Sequence, residues 1–320
     1  MALRTYDFSK PVALAEEPLL SIEAAQAKSA GRELIYTGPS PHGWHEVGLF
    51  LRCPQLYEHH IAGRLGGADE KDYLTRGTLV HVGLAHYYTR KGAKQKTGVV
   101  ANGVHTKDPD RWHEPLVAVA LAAERMHAEG DSFALKKLPL AQKLVQAYIT
   151  VMAGSSMDYG IQIVGVEVVT EIKCGPQGVP YTARMDLAVG TSDGAIQAWD
   201  HKILARVDRA RAQYSFSGQI HGHRAIGHVL WGPKFGGSRL NVLSADPEDF
   251  TVERVMPYAA PALSHRLPDT VAQARSLIAL YKQVYAPGNW PVTYACVDAH
   301  GRRCEGWDLC SGVGGTGIPR

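Results

Sequence analysis

The stretch 161–203 leaves this chain few folds to choose from. Three runs rich in β-branched residues, IQIVGVEVVTEIK (161–173), YTARMDLAVG (181–190) and AIQAWDHKI (195–203), are separated by two short turns. The first turn, 174–180, carries Gly175, Pro176 and Gly178; the second, TSDG at 191–194, is a tight hairpin signal. Consecutive strands joined this closely form an antiparallel meander. Helical patterns stand on both sides: 44–63 with an interruption at Pro54, 74–90, 113–129 and 138–154 upstream, then 207–227 and 262–284 downstream. More strand is expected at 238–245 and 249–257. Helices flanking one mixed sheet make an α/β, or α+β, layered chain. Residues 1–43 read as an irregular lead-in, 44–157 as a helical part with an exposed loop at 92–112, and 158–257 as the sheet core. A C-terminal helix and cysteine-rich segment follow at 258–310, then a glycine-rich tail at 311–320.

The third run ends unusually. Ala195, Ile196, Ala198 and Trp199 lead straight into Asp200, His201 and Lys202. Burying such groups unpaired is costly, so either the strand emerges into water there or the groups act on something. Side chains alternate along a strand, which puts Asp200 and Lys202 on one face. Pairing across the TSDG turn sets Asp186 opposite residue 199 or 200. Two adjacent carboxylates repel unless a cation or a proton intervenes, and hard oxygen ligands suit Mg²⁺ or Mn²⁺. A strand-end salt bridge is the plain alternative for D-x-K alone.

R-M-D-L (184–187) followed by W-D-H-K (199–202) resembles the core of the PD-(D/E)XK nuclease superfamily. R-G-T-L-V-H (76–81) is similar to the helical histidine motif of its RecB-like branch. S-G-Q-I-H-G-H (217–223) resembles that branch's Q-x-x-x-Y helix, with Gln219 matching and His223 where tyrosine is usual. The resemblance implies a restriction-endonuclease-like mixed sheet flanked by helices. It implies Mg²⁺ or Mn²⁺ held by His81, Asp186, Asp200 and the carbonyl of Ile203. Lys202 would position a water or the scissile phosphate, and Gln219 the nucleotide backbone or Lys202. His86 reads as structural. Glu167, on the first strand, is equally an auxiliary acid in the groove or a solvated residue.

Cys296, Cys304 and Cys310 crowd together as C-x7-C-x5-C, which is not the paired CxxC of a zinc ribbon. Three thiolates leave tetrahedral coordination one short, and Cys53 is the candidate fourth. One N-terminal and three C-terminal cysteines around a RecB-like core resemble the iron–sulfur nucleases, the CRISPR-associated RecB-like exonucleases and related phage exonucleases. That resemblance implies a structural [4Fe–4S] cluster on Cys53, Cys296, Cys304 and Cys310. Zinc on three cysteines and His300 stays open, as do unligated thiols. Cys174 reads as an ordinary thiol.

With 45% hydrophobic residues the chain can bury a sizeable core, and a net charge of +3 excludes a histone-like binder. No apolar run is long enough to span a membrane, and the N-terminus lacks the apolar core of a signal peptide, so a cytoplasmic protein is expected, in the host cytoplasm if phage-encoded. Arg206, Arg209, Arg211, Arg224, Lys234 and Arg239 follow the D-x-K strand, either neutralising phosphates or solvating a helix face. The expected activity is metal-dependent DNA cleavage, as an exonuclease on single strands or DNA ends, beside recombination or CRISPR adaptation proteins. A non-catalytic DNA-binding subunit of the same fold and a zinc-stapled hydrolase are the alternatives.

Overall fold

The computed structural model describes residues 19–29, 34–35, 37, 40, 42–63, 68–96, 113–155, 157–158, 160–215, 217–257, 261–293 and 310. The helical part holds α1 (Ile22–Ser29), α2 (Trp44–Arg52), α3 (Pro54–Ile61), α4 (Ala68–Lys96), α5 (His113–Ala128) and α6 (Ala134–Gly154). The meander follows as β1 (Gln162–Cys174), β2 (Val179–Gly190) and β3 (Ile196–Leu204). Then come a 3-10 turn at Val207–Arg209, α7 (Ala210–Ser215), α8 (Gly218–Trp231), β4 (Phe235–Ser244), β5 (Val252–Val255) and α9 (Pro261–Val284).

Pro54 divides the first helical stretch as expected: Cys53 is extended, with φ −161°, and the proline opens α3, where its missing N–H costs nothing. Two features depart from the sequence reading. The lead-in contains α1, an eight-residue helix too short to stand alone, held by burial of Ala25 in the helical core. The helix expected over 207–227 is broken before Gly218. A Cβ at 218 would lie 2.0 Å from the Trp44 ring, so α8 starts afresh where only glycine fits. Residues 97–112 of the expected loop, and the tail, lie outside the described residues.

The five strands are ordered β1-β2-β3-β4-β5, antiparallel except for the parallel β3–β4 pair. That parallel pair requires a crossover, and α7 and α8 supply it. One layer of helices, α1 and α4–α6, packs its core on Leu187, Val189, Trp199 and Leu243. The other, from α2, α3, α8 and α9, packs on Tyr181, Met185 and Ala198.

The β1–β2 hairpin changes layers midway. Val166 and Leu187 pair and pack on the α4–α6 side, whereas Val168 and Met185, the pair two residues on, pack in the opposite core. In a regular strand residues two apart share a face. The change falls at Glu167, whose φ of 50° is the one positive value at a non-glycine among the described residues. Beyond this bend β2 no longer pairs with β3: their ladder ends at Leu187↔Trp199, while β2 continues along β1 to Val179.

Beneath β3 lies a buried ion network. Asp158, 2% exposed, takes Lys91 Nζ of α4 at 2.6 Å and pairs with Arg254 of β5. The Arg254 guanidinium stacks 4.4 Å from the Trp199 ring, tying the network to the strand that delivers Asp200. Removing one partner of a buried ion set strands the others. Asp158→Asn is expected to lower the unfolding free energy in urea by about 3–5 kcal/mol, and a loss below about 1 kcal/mol would show the two cations find other partners.

Candidate active site

The bend opens a cleft of about 540 Å³ between the diverging ends of β2 and β3. Its floor is set by one hydrogen bond. Past Trp199 the β3 edge has no backbone partner on the β2 side, and an unpaired buried N–H is costly. The His201 N–H donates instead to Asp186 Oδ2 at 2.6 Å, so Asp186 stands beside residues 200 and 201, one step past the last ladder pair. Asp186 and Asp200 are 8% and 1% exposed.

Three of the expected residues form a closed triangle. Lys202 Nζ lies 2.6 Å from Asp200 Oδ2. Gln219 on α8 donates from Nε2 to Asp200 Oδ1 at 2.9 Å and accepts from Lys202 Nζ at 3.1 Å through Oε1. Gln219 reaches because Gly218 and Gly222 let α8 lie directly on Trp44 and Tyr181, where a Cβ at 222 would sit 1.9 Å from the tyrosine hydroxyl. Burial would lower the Lys202 pKa, but the Asp200 carboxylate outweighs it and holds the ammonium above its ordinary value.

His81 arrives from α4, with Nδ1 3.3 Å from Asp186 Oδ2. Burial opposes its charge, yet Asp186 wins and raises the imidazole pKa. Conversely, burial would raise the Asp186 pKa, and His81 pulls it well below the carboxylate range. Ile203 lines the cleft as well. The His201 N–H faces Asp186, and a strand residue points its N–H and C=O to the same edge. The carbonyls of His201 and Ile203 therefore both face the cleft side, about 7 Å apart along the strand. His86 behaves as structural: buried, its Nε2 accepts the Ile35 N–H at 3.3 Å.

The sequence leaves Glu167 undecided and gives His201 no role. Glu167 faces Asp186, flanked by the pairs Val166↔Leu187 and Val168↔Met185. Burial first, then the Asp186 charge, push its carboxyl pKa up to about 8. Counting pairs across the first turn, as across the second, reaches this residue from sequence. His201 is buried, its pKa lowered to about 3 by burial. Its ring stacks on Tyr88 and lies 2.9 Å from Asn241 Nδ2, which donates onward to the Tyr148 hydroxyl. No sequence pattern marks those long-range partners.

Other expectations fare unevenly. Arg209 and Arg211 are exposed, whereas Arg206 is paired with Asp208 and Arg239 lies 5.9 Å over Trp199. Lys202, Arg184 and Arg76 line the cleft. Tyr214 also lines the cleft, its ring 5.5 Å from Lys202 Nζ. Cys53 is buried between α2 and α3, and Cys310 Sγ lies 3.6 Å from Nε2 of His59 on α3. Cys296 and Cys304 lie outside the described residues. Cys174 is fully buried and its thiol pKa is pushed up to about 11, chiefly by burial, as an inert thiol should be.

The donor set suits a divalent cation. Ligand atoms of His81, Glu167 and Asp186 all lie within 4.8 Å of one another, against about 4.2 Å across an octahedral ion with bonds near 2.1 Å. Among the described residues no other group of three such side chains converges, and no helix is long and apolar enough to cross a membrane. The family model of the PD-(D/E)XK nuclease superfamily matches residues 45–310. No curated protein matches the chain in sequence.

A raised His81 pKa stabilises the imidazolium–Asp186 pair at low pH, a contribution lost as pH rises through that pKa. A cation needs the neutral ring. Mn²⁺ affinity is therefore expected to rise as pH increases through the raised His81 pKa, with proton release on binding. Calorimetry in two buffers of different ionisation enthalpy reads that release, which His81→Ala should reduce by about one proton; an unchanged count would remove His81 from the ligand set.

Proposed function

Since the chain belongs to the PD-(D/E)XK nuclease superfamily, which implies metal-dependent nuclease activity on DNA, we propose that it is a Mg²⁺- or Mn²⁺-dependent exodeoxyribonuclease of the RecB-like branch. One observation carries this reading: five residues spread from α4 to α8, His81, Asp186, Asp200, Lys202 and Gln219, line a single cleft. His81, Asp186, Asp200 and a carbonyl on the β3 edge, Ile203 or His201, would hold the cation. When bound, it supplies Lewis acidity that lowers the pKa of a water and offsets charge on the scissile phosphate.

The protein's own groups do the rest. Lys202, kept charged by Asp200, orients the attacking water or a phosphate oxygen. Gln219 fixes Lys202 and Asp200 relative to each other, so neither must reorganise as charge develops. Arg184 and Arg76 attract the flanking phosphates. Tyr214 offers an aromatic face on which an unpaired base can stack. The preference for DNA ends or single strands follows from the sequence resemblance. Processing of ends in recombination, repair or CRISPR-type adaptation follows from the sequence resemblance alone.

We further propose that Cys53, Cys296, Cys304 and Cys310 hold a structural [4Fe–4S] cluster. In support, Cys310 comes back to α3, the helix that Cys53 caps. Residues 291–293, after α9, are tied to the same place, with Thr293 Oγ1 donating to the Arg52 carbonyl at 2.7 Å and Gln55 N–H to the Pro291 carbonyl at 3.1 Å. The cluster would close the two ends of the chain together, at an entropy cost that grows only slowly with loop length.

Digestion of end-labelled single- and double-stranded DNA with Mg²⁺ or Mn²⁺ tests the activity. Wild type is expected to degrade single strands from an end, and Asp200→Ala to fold and lose cleavage by about 10²–10³-fold, on the scale of removing one stabilising group of a preorganised site. Digestion by Asp200→Ala at the wild-type rate would move the site elsewhere. Iron and sulfide analysis of anaerobically purified wild type should give about four of each per chain; zinc without sulfide would replace the cluster and leave the nuclease reading standing.

A further inference from the structure

Past the bend, β2 has lost β3 but has another partner on that side. The Thr182 N–H donates to the His42 carbonyl at 3.2 Å, the Ser40 hydroxyl donates to the Thr182 carbonyl at 3.1 Å, and the His42 N–H donates to Thr182 Oγ1 at 2.8 Å. Thr182 lies opposite Glu171 of β1, and a strand residue sends its N–H and C=O to one edge. Both therefore leave β2 on the side away from β1, the side that β3 occupies up to Trp199. The lead-in thus fills part of the slot that β3 vacates. Along β2 the cleft is bounded at one end by the Leu187↔Trp199 pair and at the other by Ser40 and His42. Thr37 and Ser40 line it, and Thr37 Oγ1 is buried with no hydrogen bond among the described residues.

Tyr181, Ala183 and Met185 pack in the core beneath α2, α8 and α9. Alternation therefore turns Thr182, Arg184 and Asp186 to the other face, into the cleft. Asp186 marks the reaction centre, and Thr182 lies four positions away, about 14 Å along a strand. We propose that Thr37, Ser40 and His42, fastened to Thr182, form a stop against which the terminus of a DNA strand rests, so that cutting requires an end and releases only short pieces. This rests on the nuclease reading of the cleft. A strand running from Asp186 to the stop passes Arg184, whose charge suits a phosphate. The Thr37 hydroxyl offers a hydrogen bond to the terminal nucleotide. At 3.4 Å per stacked step, the distance holds about four nucleotides at most. A circular strand has no terminus to seat and cannot lie along this face. The competing account is that the three bonds only pin the lead-in to the sheet.

Linear and circular single-stranded DNA of one sequence, digested by the full-length protein with Mn²⁺, separate the two. Wild type is expected to cut the linear form into products of about four nucleotides or fewer and to leave the circle intact. Ser40→Ala/Thr182→Pro removes all three bonds, because proline has neither the N–H nor the hydroxyl, and the N–H lost points away from β1. Ser40→Ala/Thr182→Val keeps one of the three and is the milder variant; thermal unfolding checks that each folds. In the folded variants the circular-to-linear rate ratio should rise at least about tenfold, and the products should lengthen. An unchanged ratio with unchanged product lengths would overturn the stop. Cleavage of the circle by wild type would overturn it too, leaving a nuclease that needs no end. Absence of cleavage of either form would overturn the nuclease reading, and this inference with it.

Discussion

The hydrogen bond from the His201 N–H to Asp186 holds the cleft in its present form. A sheet edge left without a neighbour must find acceptors for its amides, and here a carboxylate side chain replaces the missing strand. The replacement is needed because the β1–β2 hairpin bends away at Glu167, crossing from one helical layer to the other. One backbone irregularity thus opens the gap, and the same step of the hairpin supplies the two acids, Glu167 and Asp186, that line it. Asp200 and Lys202 then need only continue along β3 to face them.

The opposite face of β3 explains why this arrangement is stiff. Trp199 packs in the α4–α6 core under the Arg254 guanidinium, which is held in turn by Asp158, itself paired with Lys91. His201 is kept neutral by burial and wedged against Tyr88 and Asn241. Alternation along β3 therefore directs Asp200 and Lys202 to the cleft and the anchors Trp199 and His201 to the core. On the cleft side, glycines at 218 and 222 let α8 approach closely enough for Gln219 to join Asp200 and Lys202. A side chain at either position would push Gln219 out of reach.

Much of this was legible in the sequence because it depends on local rules. The TSDG turn fixes the β2–β3 register, and the observed Leu187↔Trp199 pair puts Asp186 at the level of residue 200, within the expected one-residue range. Periodicity located the long helices, and α4 carries His81 to Asp186 as the motif order suggested. What could not be read is non-local. Nothing around Glu167 announces a positive φ in a β-branched run; the bend comes from two helical layers competing for one hairpin. Nor does the chain show that Arg239 and Arg254 turn inward to Trp199 while Arg209 and Arg211 stay in water. The break before Gly218 required knowing that Trp44, more than 170 residues earlier, occupies the place of its Cβ.

The account stands on a divalent cation seated where β2 and β3 diverge. Anomalous scattering at the manganese absorption edge, from crystals of the full-length protein soaked in Mn²⁺, locates such an ion without reference to activity. The expected result is density bonded at about 2.1 Å to oxygens of Asp186 and to a ring nitrogen of His81. A fully soaked crystal with manganese bound elsewhere and none beside Asp186 would contradict it.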